Sequence, residues 1–148
     1  MPIRMELSRI LIRELNDFQV IELREVGAPV DSDGEGGRTF PIVIGLPEAQ
    51  AIERRLKGGV PKRPQTHDLL ANVIEAMGGK LESIAVTDLQ EGTFFATLNV
   101  RVGAGEKGKV VGIDARPSDA IALGIAGNVP IFVAEHVLDA AAKDEGVS

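Results

Sequence analysis

Two segments of the chain open in a similar way, and both openings are suited to holding phosphate. Residues 63–70 are RPQTHDLL and residues 114–121 are DARPSDAI, so each has an arginine and a proline followed by a hydroxyl and an aspartate. This order predicts the start of a helix in both places. A helix N-terminus presents free N–H groups and a partial positive charge, and a neighbouring arginine can bind phosphate through two hydrogen bonds. The doubled motif therefore predicts a site for a phosphodiester.

The residue types in and near the two motifs suggest a division of roles. Carboxylates can hold a divalent cation that polarises a phosphodiester, and a histidine can move a proton. A glutamate that opens another helix directly after an apolar strand is a further candidate. The candidate catalytic residues are Asp68, Asp114, Asp119, His67 and Glu48. The candidate substrate-binding residues are Arg63, Thr66, Arg116 and Ser118, and the candidate ligands for a Mg or Mn ion are Asp114 and Asp119.

Each motif also has a purely structural interpretation. Proline before a helix, a hydroxyl at the N-cap and an acid in the first turn all stabilise helices in proteins that have no site there. Thr66 is the expected N-cap of its helix, and either arginine could pair with the aspartate of the other motif. The geometry has to decide between a site and a pair of stabilised helix ends.

The composition limits the kind of site further. A formal net charge of −6 disfavours a strongly basic nucleic-acid binder, and the absence of Trp and Tyr disfavours platforms for base stacking. The absence of Cys excludes disulfides and thiolate chemistry. Positive potential from a local basic stretch can still steer a polyanion toward the second helix. That stretch contains Arg54, Arg55, Lys57, Lys62 and Arg63.

Three other patterns lack the context that their chemistry requires. Residues 103–108 have the glycine spacing of a nucleotide-binding loop, but a strand sequence follows where a helix must begin. Residues 31–36 resemble the start of a calcium loop, whose twelfth position would be Ile42 rather than a glutamate. His136 has no second ligand at helical spacing. We interpret them as a hairpin turn, a solvated acidic turn and a surface histidine.

The apolar patterning predicts an α+β fold with a mixed, mostly antiparallel sheet and about four helices. Strands are predicted at residues 5–14, 18–26, 40–44, 81–89, 93–102, 109–114 and 130–133. Helices are predicted at residues 47–57, 66–77, 117–127 and 135–142. The second helix has one apolar face, whereas the third is small or apolar nearly all round, so we expect the third to be buried.

The length of 148 residues fits a single domain. We expect it to span residues 1–143, with a disordered tail at 144–148 and an exposed, mobile loop at 27–37. No apolar run approaches the roughly 18 residues of a membrane span, and the start lacks the apolar stretch of a signal peptide. These features predict a cytoplasmic protein without membrane contact. An apolar third helix in so short a chain also predicts a homo-oligomer with an apolar interface.

Several stretches resemble the bifunctional nuclease domain family, the small DNase and RNase domains of bacteria and plants. They are PIVIG (41–45) with EAQAI (48–52), RPQTHDLL (63–70), GTFFATL (92–98), DARPSDAIAL (114–123) and VPIFV (129–133), in the family's order. The resemblance covers nearly the whole chain and implies an α+β domain that forms homo-oligomers, is cytoplasmic in bacteria and cleaves DNA and RNA. Two positions differ from the family's usual pattern, since Val43 stands in place of an aromatic residue and Ala126 in place of an arginine.

Two functional hypotheses remain. The first is a nuclease that hydrolyses DNA and RNA with little sequence preference, assisted by a metal ion. The alternative is a non-catalytic oligomeric binding or regulatory module that recognises a small anion or a protein partner. Convergence of Asp68, Asp114 and Asp119 in an open site would favour the nuclease, whereas dispersed or salt-bridged aspartates would favour the module.

Overall fold

The computed structural model describes residues 2–13, 15, 18–27, 37–103 and 108–147, with side chains through Ala141. Most of the loop predicted at 27–37, the centre of the turn at 103–108 and the final residue of the predicted tail lie outside these ranges. The strands are β1 (Ile3–Leu11), β2 (Gln19–Glu25), β3 (Thr39–Ile44), β4 (Gly79–Gln90), β5 (Thr93–Val102), β6 (Lys109–Ala115) and β7 (Ile131–Val133). The helices are α1 (Leu46–Leu56), α2 (Thr66–Ala76), α3 (Pro117–Ile125) and α4 (Glu135–Val147).

The strands form one sheet in the order β3-β2-β1-β7-β4-β5-β6. Each pair of neighbours is antiparallel except β4 and β7, which run parallel. Two antiparallel meanders, β1–β3 and β4–β6, are thus joined by the short strand β7. The predicted α+β class, with a mixed and mostly antiparallel sheet and four helices, is confirmed.

Helix α3 is the most buried helix, as its apolar composition predicts. All but two of its residues are buried against β4, β5 and α1. Its close approach to the sheet depends on Gly124, because a Cβ there would lie 2.6 Å from Ile84 Cδ1 and 3.1 Å from Val129 Cβ. The rigid sheet and this buried helix therefore fix the position of the second Arg-Pro motif.

Helix α2 is amphipathic, but its apolar face is only partly covered by the described residues, since Ala71 and Ile74 pack against the core. None of its residues is fully buried, and Met77 at its C-cap is 78% exposed. The exposed large apolar side chains of this region are Leu69, Leu70, Val73 and Met77. Edge strand β6 adds Val110, Val111 and Ile113. The apolar surface that a partner could cover therefore lies on α2 and β6, and not on α3.

Several element ends differ from the predicted ones. Strand β1 ends at Leu11 rather than residue 14, because the buried Gln19 side chain binds the backbone N–H and C=O of Arg13 in place of a ladder partner. Gln65, not Thr66, is the N-cap of α2. Helix α4 extends to Val147, beyond the predicted end at residue 142. Among the described residues, no helix is long and apolar enough to cross a membrane.

Candidate active site

Each of the first three helices carries an acid at its third position. They are Glu48 on α1, Asp68 on α2 and Asp119 on α3. Ionised acids are favoured in the first turn because the N–H groups there have no partners within the helix. The helix starts thus explain why these acids are tolerated, but the partners of the three carboxylates differ.

Asp119 joins the starts of α2 and α3. Its Oδ1 lies 2.9 Å from His67 Nε2, although 52 positions separate the two residues. Its Oδ2 accepts a 2.8 Å hydrogen bond from Arg116 Nε. The His67 side chain is only 15% exposed, and Asp119 is 32% exposed. The structure therefore brings together one residue from each Arg-Pro motif in a partly buried contact.

Arg116 extends this contact to α1. Its Nη1 donates to Glu48 Oε1 at 3.3 Å, so one guanidinium joins carboxylates on α1 and α3. The Arg116 side chain is nevertheless 64% exposed. We call His67, Asp119, Arg116 and Glu48 the helix-start network. It links the N-termini of three helices and remains open to solvent at Arg116.

The charges in the helix-start network are set by its hydrogen bonds. Burial raises the pKa of Asp119, but hydrogen bonds from Arg116 and His67 outweigh it and hold the pKa below its usual value. The hydrogen bond to Asp119 likewise raises the pKa of Arg116. Asp119 is therefore an ionised acceptor at neutral pH. The ring nitrogen of His67 that faces it, Nε2, must accordingly carry a hydrogen.

The other ring nitrogen of His67 is left available for chemistry. No described residue hydrogen-bonds to Nδ1 of His67. In the neutral ring with hydrogen on Nε2, Nδ1 has a lone pair and can accept a proton. A histidine oriented by a carboxylate in this way is the usual arrangement of a general base.

Glu48 occupies a position that depends on the glycine before the helix. Gly45 is the N-cap of α1, and a Cβ there would collide with Glu48 Oε2. That oxygen is buried without a hydrogen-bond partner, while Oε1 binds Arg116. The absence of a side chain at residue 45 is thus what lets Glu48 fold back toward Arg116.

A cleft of about 390 Å³ opens beside the helix-start network. Glu48, Arg116 and the buried Ser118 contribute to its wall. The aromatic side chains Phe18 and Phe94 face the same space. A ligand in this cleft would therefore lie against two members of the network.

Asp68, a predicted catalytic residue, lies outside the helix-start network and binds two arginines of α1. Arg54 Nη2 donates to Asp68 Oδ2 at 2.8 Å, and Arg55 Nη1 donates to Asp68 Oδ1. The backbone N–H of Gln65 also donates to Oδ2, at 3.0 Å. Burial raises the pKa of Asp68, but these bonds lower it below its usual value. Asp68 therefore fixes α2 to α1 and caps α2.

Arg55 shows that this contact belongs to the scaffold. Its Nε donates to the Ala122 carbonyl at 2.5 Å and its Nη2 to the Leu123 carbonyl at 3.0 Å. Its side chain is largely buried. Arg55 thus joins α1, α2 and α3 on its own. Arg54 and Arg55 belong to the basic stretch predicted to steer a polyanion. Because both bind Asp68, their charges are already paired within the scaffold.

The remaining predicted residues make no side-chain bond to the helix-start network among the described residues. The Asp114 side chain is exposed at the end of β6 and makes no hydrogen bond or ion pair with any described residue. Thr66 and Arg63 are also exposed, and Arg63 has no ion-pair partner in the described part of the chain. The three aspartates therefore do not converge on one another.

The carboxylates are not arranged as a metal site in the described residues. No three side chains of the His, Asp and Glu type come together there as a ligand set. Asp119 and Glu48 instead share Arg116, and Asp68 faces two arginines. A cation at Asp119 would have to replace the Arg116 guanidinium. The Mg or Mn ion expected from the sequence therefore stays a prediction.

Two positions, Val43 and Ala126, differ from the family's usual pattern, and they lie in different places. Ala126 is the C-cap of α3, at the end opposite to Asp119. Val43 lines the cleft and is exposed. Because Ala126 and Asp119 lie at opposite ends of α3, having alanine rather than arginine at position 126 does not take a same-turn neighbour away from Asp119.

Comparison with known proteins gives a family match and two relatives. Residues 31–146 match the model of the family described as the bifunctional nuclease domain. Two uncharacterised proteins, from two strains of Mycobacterium tuberculosis, are each 39% identical to this chain over 131 residues. The alignments cover 79% of this chain and 73% of each relative. The family match begins after β2, so the first hairpin lies outside it.

Proposed function

The chain belongs to the bifunctional nuclease domain family, and from this premise we propose that it hydrolyses phosphodiester bonds of DNA and RNA at the helix-start network. The observation that carries the proposal is the contact between His67 and Asp119. It pairs a histidine with a carboxylate beside an open cleft and an exposed arginine. This combination supplies a base and a cation for phosphate within one small region.

In the proposed reaction His67 acts on the attacking water. Asp119 holds Nε2–H, so Nδ1 accepts a proton as the water oxygen attacks phosphorus. The bond from phosphorus to the leaving sugar oxygen then breaks, and that oxygen takes up a proton from the imidazolium or from solvent. Asp119 stabilises the imidazolium that forms, as a carboxylate beside a catalytic histidine does elsewhere.

The arginines have the complementary role of neutralising phosphate. Arg116 is exposed and already oriented by Asp119 and Glu48, so its free N–H groups can turn to a phosphate oxygen. Arg63 is exposed and unpaired among the described residues, and it precedes the helix that carries His67. We assign Arg116 to the reacting phosphate and Arg63 to a neighbouring one. Such contacts carry little sequence information, which fits a non-specific nuclease.

The proposal includes self-association and a cytoplasmic location. The uncovered apolar side chains of α2 and β6 are the surface that a second copy would cover. Exposed apolar patches of this kind mark interaction sites on small proteins. A homo-oligomer would bury Met77, which is the most exposed large apolar side chain of this group.

One observation favours the alternative, a non-catalytic binding module. Each acid at a helix start already has a cationic partner, and Asp68 is fully engaged by the scaffold. A network of this type can serve only to hold helices together. In that case Arg63 and Arg116 would bind a small anion without cleaving a bond.

Nuclease assays on matched variants separate these functions. Purified protein is incubated with labelled single-stranded and double-stranded DNA and RNA, with and without EDTA. The chain offers a control in its second histidine–aspartate contact, between His136 Nε2 and Asp88 Oδ1 at 3.5 Å on the surface. We expect Asp119→Asn to lower cleavage about 100-fold or more, because the base loses its orienting carboxylate. Asp88→Asn should cleave like the parent.

The outcomes distinguish the hypotheses directly. Equal cleavage by Asp119→Asn and Asp88→Asn would remove Asp119 from the mechanism. No cleavage by the folded parent, with retained phosphate binding, would support the binding module. Loss of cleavage in EDTA, restored by Mg or Mn, would support the metal requirement expected from the sequence.

A further inference from the structure

The cleft beside the helix-start network has an aromatic side chain at its opening. Phe18 immediately precedes β2, and 71% of its surface is exposed although it is a large apolar side chain. Its neighbours in the cleft include Val43, which is also exposed, and Phe94, whose ring packs on Phe40 with centroids 5.6 Å apart. One wall is therefore apolar and aromatic.

The other wall of the cleft is polar and belongs to the proposed site. Arg116 and Glu48 of the helix-start network line it, together with Thr93 and Ser118. A volume of about 390 Å³ falls within the range of small-ligand sites, about 300–1,000 Å³. A ligand that fills the cleft therefore meets both an exposed arginine and aromatic carbon.

An unpaired nucleotide meets both requirements. Its phosphate is an anion that Arg116 can bind, and its base is a flat ring that stacks on an aromatic side chain. A paired base has both faces covered by its neighbours and cannot enter such a cleft without leaving the stack. An apolar segment of a protein would satisfy the aromatic wall but would leave Arg116 without an anion.

We propose that Phe18 is a specificity residue that stacks on an unpaired base of the nucleic acid whose phosphate is bound at Arg116. The inference rests on the proposed function, and it adds that single strands bind better than duplexes. Phe18 precedes the residues that match the family model. Stacking on an aromatic ring is tolerant of base identity, which agrees with little sequence preference.

The test measures binding rather than cleavage. Short single-stranded DNA with phosphorothioate linkages, which slow hydrolysis, carries 2-aminopurine at its centre, and a second oligonucleotide has an abasic site there. The variants are Phe18→Ala and Phe18→Leu, and the matched control is Phe95→Ala. Phe95 is also a partly exposed phenylalanine, but it follows Phe94 on β5 and so points to the opposite face of the sheet.

We expect the parent to quench 2-aminopurine and Phe18→Ala to bind the intact strand about 5- to 100-fold more weakly. Phe18→Leu should fall between them, and Phe95→Ala should match the parent. The abasic strand should bind equally to the parent and to Phe18→Ala. Circular dichroism confirms that each variant is folded.

Three results would overturn the inference. If the parent binds and cleaves but Phe18→Ala retains its affinity, Phe18 has no role and the proposed function is unaffected. If Phe18→Ala instead alters the oligomeric state with no change in binding, the cleft is a protein contact. If the folded parent neither binds nor cleaves, the proposed function fails together with this inference.

Discussion

The chemistry of the site depends on how one carboxylate shares its two oxygens. Asp119 uses one for His67 and the other for Arg116, so it orients a base and a cation at once. The sequence predicted all three residues as candidates because each stands at a helix start. It left open whether Asp119 pairs with an arginine or lies among other carboxylates, since that depends on the packing of α2 against α3.

The contribution of Asp119 to the free energy of unfolding should depend on pH. Because its folded pKa is lowered below the unfolded value, ionised Asp119 stabilises the fold above the unfolded pKa, and the effect is lost as pH falls through the folded pKa. We expect Asp119→Asn to lower the unfolding free energy by about 1–2 kcal/mol at neutral pH. The difference should shrink below about pH 4.

Urea unfolding of the parent and the variant across this pH range provides the measurement. Asp114→Asn is the control, since Asp114 is exposed and unbonded among the described residues. Its stability should follow that of the parent at every pH. An Asp119→Asn variant as stable as the parent at pH 7 would show that the two hydrogen bonds contribute nothing.

At the scale of elements, three helices must be held with their first turns together. Arg55 contributes to this by binding Asp68 on α2 and two carbonyls near the end of α3. The sequence predicts the helices, but from the sequence alone Arg55 belongs to the basic stretch that is expected to steer a polyanion. Its partners lie 13 to 68 positions away along the chain, and no local sequence pattern predicts contacts over such separations.

Removing this scaffold arginine should destabilise the fold. Arg55→Leu leaves Asp68 and two partly buried carbonyls short of donors, and we expect a loss of about 2–4 kcal/mol in unfolding free energy. Arg63→Leu should change stability by no more than about 0.5 kcal/mol, because Arg63 is exposed and unpaired in the described structure. Thermal unfolding of both variants tests the contrast, and equal melting temperatures would contradict it.

The start of α1 offers a way to disturb the network without disturbing the scaffold. Gly45→Ala would push the Glu48 carboxylate aside and deprive Arg116 of one partner. We expect cleavage to fall severalfold, with less than about 1 kcal/mol lost in stability, because the displaced group is the end of a flexible side chain. In Gly59→Ala the new Cβ makes ordinary contacts with Arg54 alone, at 3.4 Å from its Cγ and 3.7 Å from its carbonyl oxygen. That control should retain full activity, and equal activity of both variants would exclude a role for Glu48.

At the scale of the whole molecule, apolar periodicity predicted the sheet class and the burial of α3. It could not predict that α2 leaves part of its apolar face uncovered, because an apolar stripe looks the same whether its partner is the same chain or another. The expectation of a homo-oligomer stays a prediction, but its basis moves from α3 to α2 and β6. The uncovered side chains on α2 recur at helical spacing, at Leu69, Leu70 and Val73.

Association should therefore respond to charge placed on α2. Light scattering of the parent at micromolar concentration should give the mass of an oligomer, and Val73→Glu should give a monomer. Leu11→Glu, at an exposed apolar residue on β1, should remain associated. A monomeric parent, or an oligomer that Val73→Glu leaves intact, would show that α2 is not the interface.

The central claim is that His67 is the base of a phosphodiester hydrolase, and the two histidines of the chain allow a direct test. The measurement is the initial rate of cleavage of labelled single-stranded RNA by His67→Gln and by His136→Gln at pH 7. His136 is exposed and pairs with Asp88, and neither residue belongs to the helix-start network. We predict that His67→Gln, while folded, loses about 100-fold or more in rate, and that His136→Gln keeps the rate of the parent. Equal rates for the two variants would contradict the claim.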